Sequence, residues 1–229
     1  MPNLKVEVLE QQPTCLGRQL VHDPKSRGFP ARVEIDKSRW KDKRIRIYDP
    51  SPNPNQCHGE CTGVAKCMEF NAVGNRVPLI VLTMDVAHKI YSRASQIDPF
   101  RNQWPPVDTG SSGLAAAKAA KEFGLGGEYR HVFGGADEVV QLIMMNRVVN
   151  VGTWWYDTMF KPNKQNIIEP SGPRAGGHQY IARGYDVDND LVMIRCWWGS
   201  FRDVWIRRIR LHELLMDDGD AHIQNRLWS

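Results

Sequence analysis

The chain has 229 residues, of which 41% are hydrophobic and 24% are charged, and its formal net charge is +4. A chain of this length buries a sizeable core in one domain or two small lobes, and the composition is typical of a globular protein. The mild charge does not support nucleic-acid binding, and no apolar run is long enough for a membrane span. The first residues also lack the pattern of a secretory signal, so we expect a cytoplasmic protein.

Residues 1–55 are polar and rich in proline, which predicts an extended N-terminal arm because each proline restricts itself and the residue before it. Residues 56–146 then predict a helical lobe, since apolar residues recur at helical spacing from Cys61 to Ala72 and a second helix starts near Thr83. The clearest helix lies between Asp108 and Gly127. Ser111 or Ser112 is a suitable N-cap, and Gly124 is a suitable C-terminal stop.

The pattern changes to strands after Arg147. Residues 147–229 are rich in β-branched and aromatic residues between turn signals, which predicts an antiparallel β lobe closed by a short helix at Leu211 to Leu215. Asp186 to Asp190 reads as the turn of a hairpin. The order of helices followed by strands favours one α+β domain built from two lobes.

Three of the five cysteines, Cys57, Cys61 and Cys67, lie close together. Their C-x3-C-x5-C spacing has no second cysteine pair, so it does not fit a structural zinc site, and we predict neither metal nor cofactor. A disulfide between Cys57 and Cys67 would need an oxidising compartment, and this alternative stays open. Cys61 could also be a buried helix residue, since cysteine is among the most buried residue types.

A third interpretation makes Cys61 a nucleophile. A cysteine at the first turn of a helix lies at the positive end of the helix dipole, which lowers the pKa of its thiol. Gly59 allows a tight backbone approach to that turn, and the side-chain amide of Gln56, or alternatively of Asn55, could stabilise an oxyanion. His178 follows two glycines at the start of a predicted strand and is the candidate base.

At these residues the chain resembles the papain-like cysteine peptidases. The resemblance rests on "GEC" opening a helix, on "GGH" beginning a strand that ends in "GYD", and on "CWWG" where the family has "NSWG". The stretches "CTGVA", "DTGSSGLAAAKAAKEFG" and "GGHQYIARGYD" look most like the short forms encoded by actinobacteria and their phages. The resemblance covers the chain from about Leu16 to the C-terminus, with gaps.

The resemblance implies a papain-like fold and peptide hydrolysis through a thioester, with Cys61 as nucleophile and His178 as base. It also implies an oxyanion site at the Cys61 N–H and Gln56 (alternatively Asn55). In the cleft, Gly59, Gly176 and Gly177 would leave room for a substrate, the loop from Gly110 to Gly113 would line it, and Trp198 would shield the pair from water. The implied partners are a peptide or protein substrate and other phage virion proteins, in the host cytoplasm or on the virion.

The sequence departs from the family pattern at three points, and the first two favour an alternative, a non-catalytic papain-fold protein of phage structure or assembly. Cys196 occupies the position of the asparagine that orients the family's histidine, so the third catalytic residue is unassigned. Glu60 places a negative charge beside Cys61, which would raise the pKa of the thiol. The residues before Cys61 are too few and too irregular for the separately folded inhibitory pro-segment that these peptidases usually carry.

Overall fold

The computed structural model describes residues 16–21, 23–24, 26–51, 58–73, 80–100, 103–198 and 201–227. Within these ranges the α-helices are α1 (Cys61–Phe70), α2 (Met84–Ile97), α3 (Gly113–Glu122), α4 (Gly135–Met144) and α5 (Arg208–Met216). The strands are β1 (Lys43–Arg44), β2 (Arg46–Ile47), β3 (Ala72–Val73), β4 (Gly126–His131), β5 (Val149–Tyr156), β6 (Ile167–Ile168), β7 (Arg174–Asp186), β8 (Leu191–Trp198), β9 (Phe201–Arg207) and β10 (Asp220–Arg226). Short 3-10 helices cover Ser26–Gly28, Lys37–Arg39 and Asp157–Phe160.

One sheet dominates the molecule. Its strands follow the order β4-β10-β5-β7-β8-β9-β6, and β1 also pairs with β7. Neighbouring strands are antiparallel except β6 and β9, which are parallel, and β2 and β3 form a separate antiparallel pair. The α+β prediction is therefore confirmed, whereas the division into an arm and two lobes stays a prediction. No helix in the described ranges is long and apolar enough to cross a membrane.

Local chemistry explains where α3 begins and ends. The side chain of Ser112 accepts a hydrogen bond from the backbone N–H of Ala115 at 3.1 Å, which satisfies a group that the helix start leaves unpaired. After the helix, Gly124 adopts a φ of +68°, a conformation that glycine reaches without strain. Both features confirm the predicted cap and stop.

The hairpin between β7 and β8 forms at the predicted turn. The side chain of Asp186 accepts a hydrogen bond from the backbone N–H of Asn189 at 3.0 Å, and Asp190 turns the chain with a φ of +52°. Short polar side chains favour such turns because they bond to nearby backbone groups. The hairpin fixes the register of β7, the strand that carries His178.

None of β1, β2, β3, β4, β6 and β10 was predicted as a strand, and β4 and β10 are the longest of them. β4 was read as part of the helical lobe, and it lies at the edge of the main sheet, paired with β10. β10 buries the polar side chains of His222 and Gln224 and has a single β-branched residue, Ile223, so it lacks the run of β-branched and aromatic residues by which strands are recognised. Pairing with neighbouring strands, rather than local preference, places both in the sheet.

Helix α1 is the central element of the core. All of its residues are buried, and it packs against α2, α3 and β7. Because α1 begins at Cys61, the thiol lies where the helices meet the sheet.

Candidate active site

The loop before Cys61 is held from outside the helix. Glu60, the N-cap of α1, makes no side-chain capping hydrogen bond. Instead the backbone N–H of Gly59 donates to Asp108 at 2.7 Å, and Asp108 also accepts a hydrogen bond from the hydroxyl of Tyr91. Asp108 therefore fixes the entry to the helix, and no local spacing pattern indicated that role.

His178 lies among aromatic rings on β7. Its imidazole stacks on Trp198 with ring centroids 4.1 Å apart and an interplanar angle of 24°, and the Trp155 ring meets it edge-on at 5.1 Å. Neither ring nitrogen has a hydrogen-bond partner among the described residues. The rings fix the plane of the imidazole, whereas no hydrogen bond selects its tautomer.

Cys61 lies beside the strand of His178. The backbone of Gln179, the next residue on β7, and that of Gly17 lie close enough to the Cys61 sulfur to favour its thiolate. Cys61 and His178 are both only 1% exposed, and no hydrogen bond joins their side chains in this structure. The fold thus brings the two elements together without a direct bond between the sulfur and the imidazole.

Burial decides the protonation of both groups. It raises the pKa of the Cys61 thiol to about 11, against the smaller opposing effects of backbone hydrogen bonds and the positive charge of Arg18. Burial also lowers the pKa of His178 to about 3. Near pH 7 the site therefore holds a neutral thiol and a neutral imidazole, and the expected lowering of the thiol pKa by the helix dipole is wrong for this state.

The carboxylate of Glu60 lies 2.8 Å from the imidazole of His88 and is almost fully buried. Desolvation is the main cause of the raised pKa of the Cys61 thiol. The charge of Glu60, which was expected to raise this pKa, is therefore not the main cause.

Cys196 and Cys67 are both buried in the core. Cys196 is buried on β8, where burial raises the pKa of its thiol well above the usual value, and it gives His178 no hydrogen bond. Cys67 is buried inside α1, as expected for a residue that fills the helix interface. Cys57, Gln56 and Asn55 lie outside the described residues, so the oxyanion amide and the disulfide alternative stay predictions.

A segment of the N-terminal region covers Cys61. We call Leu16–Gln19 the cover segment. Its backbone pairs on both sides: Arg18 N–H donates to the carbonyl of Gly177 at 2.9 Å, Ser111 N–H donates to the carbonyl of Gly17 at 2.7 Å, and Gln19 N–H donates to the carbonyl of Ser111 at 2.8 Å. The cover segment therefore occupies the space between the residue before His178 and the loop before α3.

Close packing of backbone allows this position. Gly17 lies against Gly59 and Gly110, and a Cβ on Gly17 would overlap the carbonyl of Gly59. Gly177 likewise admits the backbone of Arg18, so the predicted room beside His178 is filled by the chain itself. The irregular N-terminal residues were expected to be unsuited to inhibition, yet a short stretch of them closes the site without a fold of its own.

Comparison with solved structures places this arrangement in a known fold, that of the papain-like cysteine proteases. Xylellain, a cysteine protease from Xylella fastidiosa, is similar with a TM-score of 0.65 at 16% sequence identity, over 96% of this chain and 99% of that one. Procathepsin B from Trypanosoma congolense is similar with a TM-score of 0.53 at 12% identity, over 91% of this chain and 86% of that one. A cysteine protease of Carica candamarcensis, solved in complex with E-64, has a TM-score of 0.52 at 15% identity, over 76% of this chain and 92% of that one.

No protein-family model matches the sequence, and no curated protein matches it either. At these identities the likeness concerns the fold, which agrees with the fold expected from "GEC", "GGH" and "GYD".

Proposed function

We propose that this chain is a cysteine peptidase that hydrolyses peptide bonds through a thioester, with Cys61 as nucleophile and His178 as general base and acid. One observation carries the proposal: Cys61 opens a buried central helix beside the strand of His178, beneath a stretch of backbone that pairs on both sides. That pairing supports a cleft shaped to hold an extended peptide against the sulfur.

In the proposed mechanism the cover segment must first leave. Water then reaches the site, so the pKa of the thiol falls and that of the imidazole rises toward their ordinary values. His178 takes the proton of Cys61, and the thiolate attacks the peptide carbonyl to form a tetrahedral intermediate. The backbone N–H of Cys61 at the helix start would stabilise the oxyanion together with Gln56 or Asn55.

Collapse of the intermediate breaks the peptide C–N bond. His178 gives its proton to the leaving amine, and a thioester to Cys61 remains. His178 then removes a proton from water, which attacks the thioester and releases the acid and the thiol. Stacking on Trp198 and the edge of Trp155 would orient the imidazole in these steps, because Cys196 offers no amide to do so.

A labelling experiment tests the proposal on the full chain. An epoxide-type thiol inhibitor is added to the Gly17→Ala variant, whose added methyl group should displace the cover segment. We expect mass spectrometry to find Cys61 labelled far faster than Cys15, and slower by about 10²-fold or more when His178→Ala is added. Cys67→Ala is the matched control and should label at Cys61 like its parent. Equal rates at Cys61 and Cys15 in the open variant would contradict the peptidase.

A non-catalytic papain-fold protein is the second candidate. Two observations favour it: His178 has no hydrogen-bond partner among the described residues, and Cys61 is closed off from solvent. The resemblance to short actinobacterial and phage-encoded forms supports a role in phage structure or assembly, in the host cytoplasm or on the virion. Unreactive Cys61 in a folded Gly17→Ala variant is the outcome that this candidate predicts.

A further inference from the structure

A single carboxylate joins two loops beside the candidate nucleophile. Oδ2 of Asp108 accepts a hydrogen bond from the backbone N–H of Gly59 at 2.7 Å, and Oδ1 accepts one from the hydroxyl of Tyr91 on α2. That hydroxyl in turn accepts a hydrogen bond from the backbone N–H of Gly110 at 3.0 Å. One carboxylate and one hydroxyl therefore connect the loop before Cys61 to the loop before α3, and we call Asp108 and Tyr91 the clamp.

The hydroxyl of Tyr91 is a fixed donor to this carboxylate. Tyr91 is fully buried, and burial followed by the hydrogen bond to Asp108 raises the pKa of the phenol, so the hydroxyl keeps its proton at neutral pH. Because that proton points to Asp108, the lone pairs of the oxygen face the N–H of Gly110. The indole of Trp104 packs against the phenol with ring centroids 5.3 Å apart and keeps it in place.

The loop before Cys61 depends on these contacts because α1 has no local cap. Glu60, the N-cap residue, makes no capping hydrogen bond, and its carboxylate lies 2.8 Å from the imidazole of His88 on α2. The first N–H groups of a helix have no partner within the helix, so their directions are fixed by whatever holds the preceding residues. Here Asp108 holds Gly59, and His88 holds the residue after it.

Glycine at position 59 lets the carboxylate reach the backbone. A Cβ on Gly59 would come within 2.8 Å of Oδ1 of Asp108 and within 3.3 Å of Cα of Gly110. Nδ1 of His58 also lies 3.8 Å from Oδ2 of Asp108. Two successive residues of the loop therefore contact the same carboxylate, and an added side chain at 59 would push the carboxylate away from the N–H that it binds.

The other end of the clamp reaches backbone on which an extended chain pairs. The residue after Gly110 is Ser111, whose N–H donates to the carbonyl of Gly17 at 2.7 Å. The carbonyl of Ser111 accepts from the N–H of Gln19 at 2.8 Å. A shift of the clamp would therefore move this pairing backbone and the start of α1 relative to each other.

We propose that Asp108 and Tyr91 are positioning residues, which hold the backbone N–H of Cys61 in place relative to a peptide paired with Ser111. The inference rests on the proposed peptidase function and adds to it two residues that do not touch the reacting atoms. When the thiolate adds to the carbonyl carbon, the carbonyl oxygen becomes an oxyanion that the Cys61 N–H meets at hydrogen-bond distance. The oxyanion exists only after addition, so loss of the clamp should lower kcat and leave KM nearly unchanged.

The test compares two reagents in the open Gly17→Ala variant of the full chain. The aldehyde acetyl-Leu-glycinal adds to the thiol and forms a hemithioacetal whose oxygen lies at the oxyanion position, whereas iodoacetamide alkylates the sulfur, releases iodide and forms no oxyanion. We expect Asp108→Ala to weaken binding of the aldehyde on the order of 10²-fold, while the alkylation rate of Cys61 changes by less than about threefold. With a fluorogenic peptide substrate, kcat should fall and KM should not rise.

Three further variants show whether the clamp acts as one unit. Asp108→Asn can still offer an oxygen to Gly59 and should restore most of the aldehyde binding. Asp85→Ala removes an exposed carboxylate of α2 and is the matched control that should change neither measurement. Tyr91→Phe removes the bond to Gly110 and should weaken aldehyde binding by about tenfold or less, and adding it to Asp108→Ala should cause no further loss.

The outcomes distinguish failure of the clamp from failure of the peptidase. Equal aldehyde binding by Asp108→Ala and its parent, with hydrolysis retained, would overturn the clamp and leave the peptidase standing. Equal losses of aldehyde binding and alkylation would show a general structural role and would also overturn it. A parent that is alkylated at Cys61 but neither binds the aldehyde nor cleaves the peptide would reject the peptidase and the clamp together.

Tyr91→Phe alone decides if Asp108→Ala does not fold. Weaker aldehyde binding by Tyr91→Phe at an unchanged alkylation rate supports the clamp, and aldehyde binding equal to that of the parent overturns it.

Discussion

The two faces of β7 differ sharply in their chemistry. On one face, His178 and Tyr180 lie among tryptophan rings, and the imidazole has no hydrogen bond to any described residue. On the other face, Gln179 donates to Asn150 at 2.6 Å, and Asn150 in turn donates to Glu69 at 3.2 Å. Apolar stacking orients the candidate base, whereas hydrogen bonds link the opposite face of the strand to the buried ion pair of Lys66 and Glu69.

This contrast separates apolar packing from buried charge across a single strand. Desolvation on the aromatic face lowers the pKa of His178, whereas the polar face borders the buried ion pair of Lys66 and Glu69. Four changes test the contrast, in order of expected effect.

The largest effect should follow loss of the imidazole on the aromatic face. In the open Gly17→Ala variant, His178→Ala should lower kcat/KM for a fluorogenic peptide substrate by about 10³-fold or more, because proton transfer to and from the sulfur and the leaving amine is lost. His212→Ala, on α5, is the matched control and should change it little. Retention of activity without His178 would remove the histidine from the mechanism.

On the polar face, breaking the buried pair of Lys66 and Glu69 should lower the free energy of unfolding. Lys66→Met leaves a buried carboxylate unpaired, which costs about 3–5 kcal/mol. Urea unfolding measures the change. Glu122→Gln, which breaks the exposed pair with Arg93, should lower the free energy of unfolding by less than about 1 kcal/mol. Equal losses in both variants would show that the buried pair stabilises the fold no more than the exposed pair does.

The aromatic face also predicts a pH dependence of stability. Because burial lowers the pKa of His178 to about 3, while an unfolded histidine titrates near ~6.5, the folded state binds fewer protons between these values. The contribution of His178 to the free energy of unfolding is complete above about pH 6.5. It is lost as the pH falls toward 3, with a slope of about 1.4 kcal/mol per pH unit.

Unfolding curves between about pH 6 and about pH 4 measure this slope. The free energy of unfolding of His178→Phe should depend less steeply on pH, by that amount. The comparison isolates His178 because His222, also buried with a lowered pKa, is present in both proteins. Identical slopes would mean that His178 is not buried as a neutral group.

The smallest effect should come from giving the aromatic face one hydrogen-bond acceptor. Cys196→Asn offers an amide to the unpartnered imidazole, and in the Gly17→Ala background we expect kcat/KM to rise by less than about tenfold. In a volume-matched Cys196→Val variant kcat/KM should not rise. An equal rise in both variants would indicate that packing, rather than the amide, was responsible.

Local patterns in the sequence predicted much of this fold. The cap at Ser112, the stop at Gly124 and the hairpin turn at Asp186 each depend on chemistry within a few residues. The papain-like fold was expected from the resemblance of the short stretches around Cys61 and His178 to that family, rather than from local chemistry.

Features that depend on distant pairing could not be read in this way. Arg18 and Asp220 are separated by 202 positions, and nothing in their neighbourhoods indicates a partner. β10 has a polar buried side, so its composition does not predict a strand. The protonation of Cys61 was expected from the helix dipole and the charge of Glu60, whereas burial, which depends on distant parts of the chain, is the larger effect.

The contact of Gly17 with Gly59 and Gly110 has a genetic consequence. A methyl group on Gly17 or Gly110 would overlap backbone at this contact. A glycine codon becomes an alanine codon by a single nucleotide change, so an open form of the protein lies one mutation away at either of two positions. Under the proposed function, selection should remove such changes wherever uncontrolled cleavage is harmful to the cell.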